Sequence, residues 1–266
     1  MSWTSCPGPS SSSDPTRETP GGQAGRASPP VKAFLNRIPQ NELNNIKREM
    51  SKLKNKVVLK LFTDFKTQED GSKLRKCMSC EGAFELLKTL EGYSNGKLLV
   101  EEVSTEENEE VANKYKVTRI PTILFVDSDG KEIIRYLAHP TGSEFVPFLN
   151  SIQYFSGVRP YYADQIITHL KKIKESSMKI FITPTCPYCP MTVPVLTLFS
   201  IVSKGKISSE IIDVNLNPDI GAQYQVQGVP MTVINEKDVI HGMFTPQDLL
   251  DKLVGSKNRD FGGMYA

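Results

Sequence analysis

Phe181-Ile182-Thr183-Pro184-Thr185-Cys186-Pro187-Tyr188-Cys189-Pro190 is the stretch that decides the fold of this 266-residue chain. It follows an apolar run, Met178 to Ile182, that reads as a buried strand. It leads into Val193, Val195, Leu196, Leu198 and Phe199, an apolar cluster that reads as a buried helix. Two cysteines three apart at a helix start face the same way, with Cβ atoms about 5–6 Å apart. That is close to the roughly 4.4–6.8 Å Cα separation of a disulfide. The spacing therefore predicts a helix opening at Cys186, with Pro187 suited to its first position. Backbone N–H groups and the macrodipole would favour a thiolate at Cys186. Cys189, one turn deeper, would be the protected member. Cys186 is thus expected to attack a disulfide and Cys189 to resolve the mixed disulfide.

Working outward, the first half repeats the second. Cys77 and Cys186 stand 109 positions apart, and so do Pro121 and Pro230. Asn108 and Asn217, Tyr115 and Tyr224, and Val117 and Val226 share that offset without a gap. Two copies of one domain follow. The copies read as strands near 57–62, 98–103, 122–126 and 131–137, then 178–182, 207–214, 231–235 and 238–243. Helices are expected between them, with Ala83, Phe84, Leu87 and Leu90 on one face of the helix after Cys77. The expected fold is α/β, a tandem pair of mixed sheets, each flanked by helices. The expected domains are 35–157 and 158–256, joined near Ser156-Gly157-Val158-Arg159-Pro160, between a Ser/Pro/Gly-rich tail, 1–34, and a short tail, 257–266. The tail 1–34 is expected to be disordered, and it holds Cys6 and Trp3.

Cys77-Met78-Ser79-Cys80 is the first copy's pair, with Cys77 expected to attack and Cys80 to resolve. Lys73, Arg75 and Lys76 precede it and would favour a thiolate, if they are not simply solvated loop charges. Phe62 to Cys77 is 15 positions, whereas Phe181 to Cys186 is 5, so residues 64–76 must loop out. Pro121 and Pro230 each stand between a helix and a strand, and their matched spacing favours a cis bond over a trans strand start. Ile120 and Val229 would then offer backbone to an extended substrate.

Composition excludes other classes. The net charge is +2 with no basic block, which gives no footing for nucleic acid or a membrane surface. No run approaches the roughly 20 apolar residues of a membrane span, and no secretory leader is legible, so the cytosol is the expected compartment. No phosphate-binding or dinucleotide fingerprint is visible. Four thiolates on one zinc, or one pair per iron–sulfur cluster, is the metal alternative, but Cys80 and Cys186 are 106 positions apart and no histidine lies near the pairs in sequence. A non-catalytic binding module is the other alternative. Asp213 reads as a strand end.

These residues resemble a known family. Strand, Cys-x-x-Cys helix and a later Ile/Val-Pro before a strand resemble the thioredoxin fold, and Cys-Pro-Tyr-Cys is the tetrapeptide typical of glutaredoxins. The ten-residue string resembles the second active site of the two-domain protein disulfide oxidoreductases of thermophilic archaea and bacteria. Ile134-Arg135-Tyr136-Leu137, then Gly142, Glu144 and Phe145, resemble the end of that family's first domain. Pro194 matches the helix-kinking proline of thioredoxins. The resemblance, over about residues 35–256, implies two thioredoxin-like folds and thiol–disulfide exchange without a bound cofactor, the redox-active disulfides serving instead. It implies disulfide-containing protein substrates, a thioredoxin-reductase-like flavoenzyme or a peroxiredoxin as partner, or an electron-relay role. Cys77-Met78-Ser79-Cys80 departs from the family's tetrapeptide, which leaves the second site the stronger match.

Overall fold

The computed structural model describes residues 40–255. The expected tails, with Trp3 and Cys6, lie outside the described residues. The first half runs α1 (Gln40–Ser51), β1 (Val57–Thr63), β2 (Phe65–Thr67), β3 (Lys73–Arg75), α2 (Met78–Gly92), β4 (Leu98–Ser104), α3 (Glu109–Lys114), β5 (Thr122–Val126) and β6 (Glu132–Leu137). A 3₁₀ turn, Gly142–Glu144, leads into α4 (Phe145–Phe155). The second half runs α5 (Ala163–His169), β7 (Ser176–Ile182), α6 (Cys189–Val202), β8 (Ile207–Asp213), α7 (Pro218–Gln223), β9 (Met231–Ile234), β10 (Asp238–His241) and α8 (Pro246–Val254).

The repeat read from the cysteines and prolines is a repeat of structure. β4 and β8, and α3 and α7, match end for end at 109 positions. Four residues at positive φ match as well: Asn95 with Lys204, and Lys116 with Gln225. β1 and β7 differ by 119, which places the ten extra residues between β1 and Cys77. These residues do not simply loop out. They form a β-hairpin, β2 against β3, closed at its base by Lys76 N–H to the Asp64 carbonyl at 2.8 Å.

Eight strands make one mixed sheet, ordered β10-β9-β7-β8-β6-β5-β1-β4. Each half contributes the same four-strand order, and the halves meet where β6 pairs in parallel with β8, from Ile134↔Ser209 to Leu137↔Ile212. Alternation assigns the faces, because successive side chains of a strand point oppositely. Val57, Leu59 and Leu61 of β1 join Ile123, Phe125, Ile134 and Tyr136, then Met178, Ile180 and Ile182, in one core covered by α1, α2, α4, α5, α6 and α8. Phe62, Leu124 and Val126 face the other way, beneath α3, and Phe181, Ile212 and Met231 do so in the second half. Tyr136 and Ser151 share a hydrogen bond at 2.9 Å, and Ser151 and Thr197 another at 3.0 Å. This buried polar chain ties β6 and α4 to α6.

Strand directions position the chemistry. β1, β6, β8 and β7 all run the same way, since β5 is antiparallel to both β1 and β6. Both cysteine pairs therefore lie at one end of the sheet, where β1 and β7 finish.

Candidate functional site

Each pair is a disulfide at the mouth of a helix, Cys77–Cys80 across the first turn of α2 and Cys186–Cys189 at the start of α6. Cys77 caps α2 in extended backbone, and the Cys80 N–H points at its sulfur at 3.0 Å. In the second site the Cys189 N–H points at the Cys186 sulfur at 3.1 Å. The regular helix starts at Cys189 and not, as the spacing predicted, at Cys186. The reason is chemical. A first helical bond to the Cys186 carbonyl must come from residue 190, which is proline and has no N–H. Its counterpart in the first copy, Glu81, does donate to the Cys77 carbonyl, at 3.2 Å. The donor beside the outer sulfur survives this difference.

Because β5 runs antiparallel to β1, and β9 to β7, the prolines before β5 and β9 sit beside the cysteine loops. Phe62 pairs with Thr122, and Phe181 with Met231. Ile120-Pro121 and Val229-Pro230 are both cis. The Val229 carbonyl lies 3.6 Å from the Cys186 sulfur. Cys186 is 4% exposed while Cys189 is fully buried, and Tyr188 between them is 52% exposed. In the first site Cys80 is buried, Cys77 half-buried, and Met78 is 92% exposed.

The cations before Cys77 are each paired with carboxylates. Lys73 pairs with Glu107 and Lys76 with Glu106. Arg75 makes a bidentate pair with Glu102 at 2.7 and 2.8 Å, reaches Glu81 at 3.1 Å, and stacks 3.5 Å above the Phe84 ring. These bonds hold Arg75 charged against the cost of its burial. Glu106 and Glu107 precede α3 and are partners of the hairpin and the residue that follows it. Asp64 accepts from Ser104, Thr105 and the Glu106 N–H, which holds its carboxyl below the usual range although burial opposes this.

Two residues belong to the site region that sequence did not assign to it. Thr141-Gly142-Ser143-Glu144 opens α4 as Thr245-Pro246-Gln247-Asp248 opens α8. Asp248 turns back to accept the Thr245 N–H at 2.9 Å, completing a capping box. Glu144 instead turns inward. It is 2% exposed, and among the described residues neither carboxylate oxygen has a hydrogen-bond partner. Burial, with Asp213 adding repulsion, pushes its carboxyl up to about 7. Its turn packs on α6 and is clamped to the loop before Cys186: the Ser143 N–H and hydroxyl donate to the Pro184 carbonyl at 2.9 and 2.7 Å. Asp213 ends β8, accepts the Asn215 N–H at 2.9 Å, and is also raised by burial. The second unassigned residue is His139, far from the cysteines in sequence. Its ring lies on Gly82, two residues past Cys80, where a methyl group would overlap it. Burial holds this imidazole below its ordinary range.

Glu144 makes stability pH-dependent in a defined direction. The folded state keeps the proton up to about pH 7, while an ordinary glutamate releases it near 4.5. Stability is therefore lost as pH rises through that window, by at most about 3 kcal/mol. In urea denaturation at pH 5 and pH 8, Glu144→Gln should remove most of this difference. An unchanged difference would mean that another group causes it.

Among the described residues no group of three or more His, Cys, Asp or Glu is arranged to hold a metal ion, and no helix is long and apolar enough to cross a membrane.

The single sheet built from two repeats, the paired cysteines at its end and the proline loops beside them define a thioredoxin-like fold. The thioredoxin domain family matches residues 176–255. In structure the chain is similar to a protein disulfide oxidoreductase from Aeropyrum pernix, with 26% identity, a TM-score of 0.68, and coverage of 81% of this chain and 92% of that one. It is similar in fold to the NTD N/C domain of alkylhydroperoxide reductase AhpF from Enterococcus faecalis, at 19% identity, a TM-score of 0.69, and 81% and 99% coverage. Among curated proteins it is 30% identical over 135 residues to the F subunit of alkyl hydroperoxide reductase from Staphylococcus aureus, covering 48% of this chain and 25% of that protein. The chain spans about a quarter to a third of the length of the curated relatives it matches.

Proposed function

We propose that the chain catalyses dithiol–disulfide exchange through two cysteine pairs set in two thioredoxin-like units, residues 35–157 and 158–256. Cys186 attacks a substrate disulfide, forming a mixed disulfide and releasing one substrate thiol. The Cys189 thiolate then attacks Cys186, releasing the second thiol and leaving the Cys186–Cys189 disulfide. One observation carries the reading: the Cys186 sulfur sits at the open end of β7, bonded by the Cys189 N–H and 3.6 Å from the Val229 carbonyl. A substrate strand that pairs along Val229 and Pro230 brings its sulfur to Cys186. Ile120 and Pro121 supply the same edge beside Cys77, and Cys77 and Cys80 form the second redox pair.

Reducing equivalents come from a dithiol or from a flavoenzyme of the thioredoxin-reductase kind. Disulfide-bearing proteins, a peroxiredoxin among them, are the recipients, and the redox-active disulfides take the place of a bound cofactor. Similarity to the F subunit of alkyl hydroperoxide reductase supports that pairing, and the cytosol is the compartment in which such dithiols persist.

The test is Cys189→Ser. With the resolving thiol gone, mixed disulfides on Cys186 should accumulate during turnover and run as dithiothreitol-sensitive adducts. Absence of any adduct, with Cys186 still alkylatable, would reverse or remove the assigned roles.

A further inference from the structure

The strand order places β6 midway between the two cysteine sites: β7 and β1 are each two strands away from it. At about 4.8 Å per strand the site-bearing strands are roughly 19 Å apart, too far for direct exchange between the pairs. The segment leaving β6 at that same end, residues 138–144, touches both. His139 rests on Gly82, in the helix opened by Cys77 and Cys80. Four residues on, Ser143 donates twice to the Pro184 carbonyl, and a methyl at Gly142 would overlap that oxygen. Pro184 is two residues before Cys186. Between these contacts the chain is short and braced, with the Thr141 N–H on the His139 carbonyl at 2.8 Å. The second half has no such link: Gly242 has open space where a side chain would stand, and Asp248 is occupied by its own capping box.

We propose that the 138–144 segment couples the two redox pairs, with His139 and Ser143 as its positioning residues, so that the state of one pair sets the disulfide stability of the other. This rests on the reading that both pairs cycle. Reduction by a dithiol breaks the Cys77–Cys80 bond, gives two thiols and leaves the reagent as its cyclic disulfide. The first turn of α2, no longer cross-linked, relaxes around the new thiols. Close-packed groups transmit such a shift and do not absorb it. The route runs from Gly82 through His139 to Ser143, Pro184 and the Cys186 loop. Each pair is a two-state element, which is what coupling requires.

The test equilibrates the full chain in reduced and oxidised dithiothreitol, traps thiols by alkylation, and reads each pair separately by peptide mass spectrometry. The pair that is reduced first in the wild type should change its equilibrium constant by roughly fivefold or more when the other pair is replaced, as in Cys77→Ser/Cys80→Ser or Cys186→Ser/Cys189→Ser. Adding His139→Ala or Ser143→Ala, at opposite ends of the link, should shrink that change to less than about twofold. If both pairs interconvert but neither constant moves, or if both link variants leave the change intact, the coupling is refuted while the exchange reading stands. If Cys77 and Cys80 never interconvert in these buffers, the two-pair reading itself fails.

Discussion

Cys186→Ser should reduce dithiothreitol-driven reduction of insulin disulfides to the reagent's own rate, a loss of roughly 100-fold or more, because a hydroxyl neither ionises near neutrality nor forms a disulfide. The fold should survive, since serine is nearly isosteric and the Cys189 N–H can bond its oxygen. Cys77→Ser should keep a substantial part of the rate. Its site differs in three ways visible in the structure: a hairpin stands before it, its neighbouring cations are held by Glu81, Glu102, Glu106 and Glu107, and its exposed intervening side chain is Met78. Equal loss in both variants would mean that the two pairs work strictly in series.

Phe148→Ala should cost about 3–5 kcal/mol, the range for removing a large buried aromatic side chain. Phe148 is fully buried on α4, with edge-to-face contacts to Phe125 and Tyr136 at 5.8 and 5.1 Å between ring centroids. The same helix packs on α6, which begins at Cys189. Urea denaturation should therefore show one transition moved to lower urea, with probes in both halves moving together. A variant in which only the first half loosens would mean that the continuous sheet does not make the halves cooperative.

Much of this was legible before any coordinates. The cysteine and proline offsets report a repeat because the same strand–helix–strand geometry must recur around each pair, and β4, β8, α3 and α7 keep that register without a gap. The helix start at Cys189 could have been anticipated from Pro190, whose missing N–H is a local fact. Glu144 could not: Thr-x-x-acid reads as a cap, and only the packing of its turn on α6 reveals that the carboxyl points inward. His139 was invisible for a similar reason, since its nearness to Cys80 depends on the place of β6 between the sites. The hairpin at residues 65–75 was legible as an insertion but not as strands, because its few residues are stabilised by Glu102 and Glu107 from elsewhere in the chain.

The most direct test of the central claim, that Cys186 is the attacking thiol of a working pair, is competitive alkylation of the reduced full-length chain at pH 7 with less than one equivalent of iodoacetamide, followed by peptide mapping. Label should appear on Cys186, with Cys189 unmodified until the protein is unfolded. Label arriving first on Cys189, or no free thiol at either position after dithiothreitol, would contradict the claim.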